Sequence, residues 1–163
     1  MAIASVTITC AECGKAFEHR KTCRNRSEAD NYESWALNHI DTCPECYKKS
    51  LAAEKESILF DTLKTCGYKL PRLSGVSDKQ ITYAEKVRAR YLSNNIERIM
   101  TYHEGMEQTK DPAYMIVFAA ECKKHGLTTE DGLMQSIKNA HLDTVHLLLT
   151  CESAKEILDH VNR

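Results

Sequence analysis

The N-terminal residues have the pattern of a short β-hairpin. The run Val6–Thr9 consists of β-branched residues, which favour strands. It leads into the turn Cys10–Gly14, whose glycine can adopt a positive φ angle. The segment Lys15–Arg20 then predicts a return strand, with Ala16 and Phe17 facing inward.

Helical periodicity dominates the rest of the chain. Ser27 is a candidate N-cap for a helix that ends at His39, and Tyr32 and Trp35 recur with His39 at helical spacing. Ser77 and Gln80 have the spacing of a capping box, which predicts the start of a long amphipathic helix. The other helical patterns cover Tyr47–Leu63, Asp111–His125, a segment that begins at Thr128 or Thr129, His141–Leu149 and Ser153–Val161.

Two Cys-x-x-Cys pairs lie at the hairpin turn and before the second long helix. They are Cys10 with Cys13 and Cys43 with Cys46, and 29 residues separate the pairs. Four thiolates are what a closed tetrahedral structural zinc site needs. Pro44 and the following helix favour this assignment, since a helix N-terminus stabilises thiolate charge. The sequence therefore predicts one structural zinc per chain, bound by these four cysteines, with no open position for catalysis.

Other potential ligands flank the predicted site. His19, Cys23 and His39 are close in sequence, but a complete set of four cysteines makes them redundant. We expect His39 to pack beside Trp35 or to donate a hydrogen bond near the metal. The remaining thiols, Cys23, Cys66, Cys122 and Cys151, occur singly, and we expect them to be structural.

The order of strand, Cys-x-x-Cys turn, hairpin and helix-borne second pair resembles a treble-clef zinc finger. The predicted fold class is mainly α, with a small treble-clef-like zinc module of β-hairpin plus helix followed by a helical domain. We expect a zinc-binding module with a trailing helix at 1–66 and a helical domain at 78–163. Between them, residues 67–77 hold two glycines and one proline and predict a linker.

Three stretches resemble a group of small bacterial zinc-module proteins of unknown function. The first two read Leu70-Pro71-Arg72-Leu73-Ser74-Gly75 and Lys79-Gln80-Ile81-Thr82-Tyr83-Ala84-Glu85-Lys86-Val87-Arg88. The third is the tail Ala154–Asp159 with Arg163, which departs from the aromatic-rich tail of that group. The resemblance implies a domain organisation and a bacterial or mobile-element origin, and it implies no mechanism.

Charge is unevenly distributed although the net charge is only −1. Residues 1–98 hold 16 cations and 13 acids, whereas residues 99–163 hold 6 cations and 10 acids. Phosphate binding requires a cationic track, and Tyr47, Tyr68 or Tyr83 could stack on bases. The candidate residues for binding nucleic acid or a partner are Lys15, Arg20, Lys21, Arg24, Arg26, Lys69, Arg72, Lys79, Arg88 and Arg90.

Two functional hypotheses follow from these observations. In the first, the protein is a non-enzymatic, zinc-stabilised module that binds nucleic acid or a nucleoprotein complex. In the second, it is a protein-binding adaptor or inhibitor that docks through its acidic helical half, which a pI of about 6.6 favours. The sequence holds no glycine-rich phosphate loop, zinc-protease helix or nucleophile elbow, so we expect no enzyme. Without an apolar span or a secretory signal, we expect a cytoplasmic protein with no membrane partner.

Overall fold

The computed structural model describes residues 1–161 and confirms a mainly α protein with an N-terminal hairpin. Its compact units are Met1–Glu54, called unit 1, and Lys55–Arg163, called unit 2. The division falls inside the second helix rather than at the 67–77 segment. The elements are β1 (Ala2–Thr9), β2 (Ala16–Cys23), α1 (Arg26–His39), α2 (Pro44–Thr65), α3 (Asp78–Ser93), α4 (Ile96–Gln108), α5 (Pro112–Lys124), α6 (Thr129–Asn139), α7 (Asp143–Thr150) and α8 (Ala154–Val161).

In unit 1, helix α1 covers one face of the hairpin. The antiparallel register runs from the pair Ala2 and Cys23 to the pair Thr9 and Ala16. Ala4 of β1 and Ala29 of α1 are both buried where the helix meets the sheet, and their small side chains let the helix approach the sheet closely. The inward face includes Phe17, which is half-buried, but Ala16 is exposed on the other face because neighbouring strand residues alternate.

Helix α1 begins slightly earlier than predicted. Its N-cap is Asn25 rather than Ser27, and the Asn25 side chain accepts a 2.9 Å hydrogen bond from the Glu28 N–H. The Glu28 carboxylate accepts a second bond of 2.9 Å from the Arg24 N–H. The two side chains thus satisfy backbone donors at the helix start, which Ser27 inside the first turn does not.

Unit 2 folds around a contiguous aliphatic core. The long helix predicted from Ser77 onward is broken at Asn94 and Asn95, and both side chains bond to carbonyls of the last turn of α3. The break turns α4 so that it contributes its own residues to the core. The buried cluster comprises Leu59, Leu63, Leu73, Ala84, Leu92, Ile99, Tyr102, Ile137, Leu142, Val145, Leu148, Leu149, Ala154 and Ile157.

The predicted linker at 67–77 packs into unit 2. Leu73 lies in the core, and the backbone of Ser74 pairs with the segment before α8. The Ser74 N–H donates to Glu152 O at 2.7 Å, and Ser74 O accepts from the Ala154 N–H at 2.8 Å. A Cβ at Gly75 would lie 3.2 Å from the Ala154 Cβ, so a glycine permits this close approach.

Among residues 1–161, no helix is both long and apolar enough to span a bilayer.

Candidate metal centre and nucleic-acid surface

Two backbone turns bring the four predicted cysteine ligands together. In the first, the Cys10 N–H donates to Lys15 O at 2.9 Å, and Gly14 has the positive φ of +71° that the turn requires. A bond of 2.7 Å from the Ala11 N–H to Asp41 O joins this turn to the segment that leads into the second pair. The prediction of a turn at Cys10–Gly14 is confirmed.

The second pair uses the start of α2. Cys43 immediately precedes Pro44, the first residue of the helix, where a missing N–H costs nothing. The Cys43 sulfur accepts a 3.5 Å hydrogen bond from the Cys46 N–H, and the Cys10 sulfur accepts a 3.2 Å bond from the Cys43 N–H. Both donors belong to the second turn, and their N–H groups point at one sulfur of each pair, which stabilises thiolates.

The sulfur geometry fits one zinc ion. The Sγ atoms of Cys10, Cys13, Cys43 and Cys46 all lie within 4.8 Å of one another. Those of Cys13 and Cys43 are 3.9 Å apart. Zn–S bonds of about 2.3 Å in a tetrahedron place neighbouring sulfurs about 3.8 Å apart. A closed site of four sulfurs is structural, as predicted from the sequence.

The thiols of the site have shifted pKa values. The hydrogen bond from the Cys43 N–H is the main cause that lowers the pKa of the Cys10 thiol to about 6. Hydrogen bonds with Cys43 and Cys13 raise the pKa of the Cys46 thiol to about 12. Four thiolates cannot share so small a space without a cation, and a bound metal ion removes that obstacle because coordinated thiols are deprotonated.

His39 packs beside Trp35 and is absent from the ligand cluster, as expected. The two rings are stacked with centroids 5.1 Å apart, and the His39 Nδ1–H donates to Trp35 O at 2.8 Å. On its other side, the Trp35 ring packs against Tyr32, with ring centroids 5.4 Å apart. The Tyr32 hydroxyl oxygen in turn lies 2.8 Å from Nε2 of His19. The contact between His19 and Tyr32 joins β2 to α1, whereas His39 stacks on Trp35 within α1 itself.

Three of the five predicted binding residues in unit 1 are engaged within the unit. Arg20 forms a 2.8 Å ion pair with Glu18, and Arg26 forms one of the same length with Asp30. Lys21 Nζ lies 4.2 Å from the centroid of the Tyr32 ring. Lys15 and Arg24 are exposed. Residues 1–54 hold seven cations and eight acids, so unit 1 is not basic overall.

Arg88 must be removed from the predicted cationic track. Its side chain is only 6% exposed, and Nη1 donates to Pro71 O at 2.9 Å. Burial lowers the pKa of this guanidinium. A buried arginine that holds the 67–77 segment against α3 cannot reach a phosphate, so its role is structural.

Three cations and one tyrosine form a row on the exposed side of α3. Lys79, Tyr83, Lys86 and Arg90 follow one another at intervals of four, three and four residues, which places them on one helix face. We call this set the α3 stripe. All four are exposed, Tyr83 by 55%.

The α3 stripe is separated from acidic groups on its own helix. The buried residues Ala84, Arg88 and Leu92 define the opposite face, and at about 100° per residue Asp78 and Glu85 fall on the flank away from the stripe. Within residues 1–161, none of its cations takes part in an ion pair.

Lys86 was not among the predicted binding residues, and Tyr68 is less exposed than Tyr83. Lys86 belongs to the α3 stripe by helical phase, a signal that was available once the start at Ser77 had been recognised. Tyr68, a candidate for base stacking, instead packs against Tyr102 at 6.0 Å and His103 at 5.7 Å between ring centroids. Of the other predicted cations, Lys69 and Arg72 are exposed.

Comparison with known proteins identifies no relative of this chain. No protein family, curated protein or solved structure matches it.

Proposed function

We propose that this protein is a non-enzymatic, zinc-stabilised module that binds nucleic acid. The observation that carries the proposal is the α3 stripe, where three cations and one exposed tyrosine share a helix face that holds no acidic residue of α3. Ammonium and guanidinium groups on such a face can neutralise successive phosphates, and the tyrosine ring can stack on a base. The zinc site then has a structural role in unit 1, which we propose to be of the treble-clef kind.

Salt dependence tests the proposal directly. Binding of a fluorescein-labelled DNA or RNA oligonucleotide is measured by anisotropy at several salt concentrations. Three neutralised phosphates predict a slope of log K against log salt of about −2 to −3. Changing Lys79, Lys86 and Arg90 together to Glu is expected to remove most of that slope and to weaken binding to all sequences alike.

A matched variant controls for net charge. Lys123, Lys138 and Lys155 are exposed and lie on α5, α6 and α8, and none of them is in an ion pair within residues 1–161. Changing all three to Glu alters the net charge by the same amount and should leave most of the affinity intact. Equal losses in both triple variants would show only a global charge effect, and no binding at low salt would end the proposal.

The exposed apolar face of α5 favours a second candidate, the protein-binding adaptor. Ile116 is 72% exposed and Val117 is 70% exposed, although soluble helices usually bury such side chains. If this candidate is right, changing Ile116 and Val117 to Ser will release a nuclease-resistant protein partner that co-purifies with the chain. The α3 stripe variant would then retain that partner.

A further inference from the structure

Helix α2 ends in a turn that reverses the chain beside its own last residues. Gly67 has a φ of +72°, its N–H donates to Lys64 O at 3.1 Å, and the Tyr68 N–H donates to Leu63 O at 2.9 Å. This pattern is the Schellman ending of a helix. It sends the next residues back alongside the final two turns of α2.

An apolar cleft of about 450 Å³ lies between the end of α2 and the chain segment that follows Gly67. Its size is within the range of small-molecule pockets. One wall is fixed, because Leu63 belongs to the core and the Tyr68 ring is held by Tyr102 and His103. The cleft is lined by Gly67 together with Phe60, Leu63, Lys64, Tyr68, Lys69 and Leu70.

Phe60 and two lysines give this cleft its chemistry. Phe60 is 68% exposed and lies one helical turn before Lys64, which is also exposed. Lys69 is exposed on the returning segment, and neither lysine is in an ion pair within the described part of the chain. No acidic side chain lines the cleft. The site therefore suits a planar apolar group that is attached to anions.

We propose that the cleft accepts an unpaired base of a single-stranded polynucleotide, with the flanking phosphates on Lys64 and Lys69. This inference rests on the proposed function and adds to it a preference for single strands. A base in a duplex has both faces stacked on its neighbours and cannot enter a cleft without being unstacked first. Cations beside an aromatic ring are the usual means of holding single strands with little sequence preference. An acidic peptide with an aromatic residue would be the competing occupant.

The test is a titration of the full-length, zinc-loaded, ¹⁵N-labelled protein with octamers of thymidine and of uridine and with a self-complementary duplex. The expected result is that amide signals of residues 60–70 shift with the single strands and not with the duplex. The Phe60→Ala variant should bind single strands about 5- to 150-fold more weakly, the range expected for losing one base–aromatic stack. Its affinity for the duplex should be unchanged.

Ile58→Ala is the matched control, since Ile58 is an exposed apolar residue of the same helix that does not line the cleft. It should bind like the unmodified protein. Shifts confined to residues 79–90 would overturn the cleft and leave the proposed function standing. An absence of shifts with any polynucleotide at low salt would overturn both. Shifts at 60–70 only with an acidic, aromatic-containing peptide would assign the cleft to a protein partner instead.

Discussion

Unit 1 and unit 2 differ in what their buried side chains can contribute to stability. The buried apolar residues of unit 1 are three alanines, three cysteines and a single large side chain, Ile8. Unit 2 buries fourteen residues in one cluster, most of them Leu, Ile or Val. Burial is worth about 0.8 kcal/mol per methylene group, so alanines add little. Small domains that lack a sufficient core usually rely on a metal or on disulfides, and here the four-cysteine site takes that part.

Removing zinc should therefore have the largest effect, and it should be confined to unit 1. Structural zinc contributes on the order of 10 kcal/mol or more to the folding of small modules. We expect a chelator, or the Cys43→Ser change, to unfold the hairpin and α1 while the helices of unit 2 persist. Trp35 is the only tryptophan, so its fluorescence reports on unit 1 alone, and far-ultraviolet circular dichroism follows the helices.

Elemental analysis provides the control for this experiment. Cys151 lies in unit 2, outside the cluster, so Cys151→Ser should keep one zinc per chain. Unchanged Trp35 emission after complete loss of the metal would contradict the inference that unit 1 depends on zinc for its stability.

Truncating a core residue of unit 2 should destabilise that unit and leave unit 1 and its zinc unaffected. Ile99 is fully buried in unit 2, and Ile99→Ala is expected to cost about 2–5 kcal/mol in the free energy of unfolding. Urea denaturation followed by circular dichroism should show the loss, while zinc content and the Trp35 transition stay the same. Ile58→Ala, at a position 46% exposed, should cost less than about 0.5 kcal/mol. Transitions that move together at both probes would mean that the units unfold as one.

A smaller effect is expected where α5 and α6 meet. A Cβ at Gly132 would overlap the sulfur of Cys122, so Gly132→Ala should destabilise unit 2 by about 1–3 kcal/mol through overpacking. Gly105 is also helical, but a Cβ there would meet nothing within 4 Å. Gly105→Ala should therefore stabilise α4 by about 0.5–1 kcal/mol. Equal effects of the two changes on the urea midpoint would mean that helix propensity, rather than packing, dominates at Gly132.

Local patterns explain what could be predicted from the sequence. The zinc ligands could be predicted because each Cys-x-x-Cys pair is a short-range sequence signal. The helix starts at Ser77 and Thr128 could be predicted because each side chain accepts a hydrogen bond from an N–H only three residues ahead. The break at Asn94 was missed because the apolar stripe continues in phase across it. The treble-clef assignment and the resemblance to small bacterial zinc-module proteins stay predictions.

Long-range contacts account for the rest. The sequence alone indicates that Arg88 is a surface cation. In the structure it donates a hydrogen bond to Pro71 O, 17 residues away in the chain. The glycines and proline of 67–77 indicate a linker, yet the pairing partner of Ser74 is 79 residues further along the chain. No local pattern contains such a pairing. The cleft beside Phe60 likewise depends on the reversal at Gly67, which the sequence indicates only as the end of a helix.

The pairing of Ser74 with Ser153 also sets the order in which the two units can form during synthesis. Every ligand of the metal site lies in the first 46 residues, so unit 1 can emerge from the ribosome, load zinc and fold while the later helices are still being translated. Leu73 and Ser74 must wait for the segment that precedes α8 before their contacts exist. Because domains generally fold as units in the order of their emergence, we expect a nascent chain stalled before residue 150 to hold zinc on a folded N-terminal module, with the helices after it still unassembled.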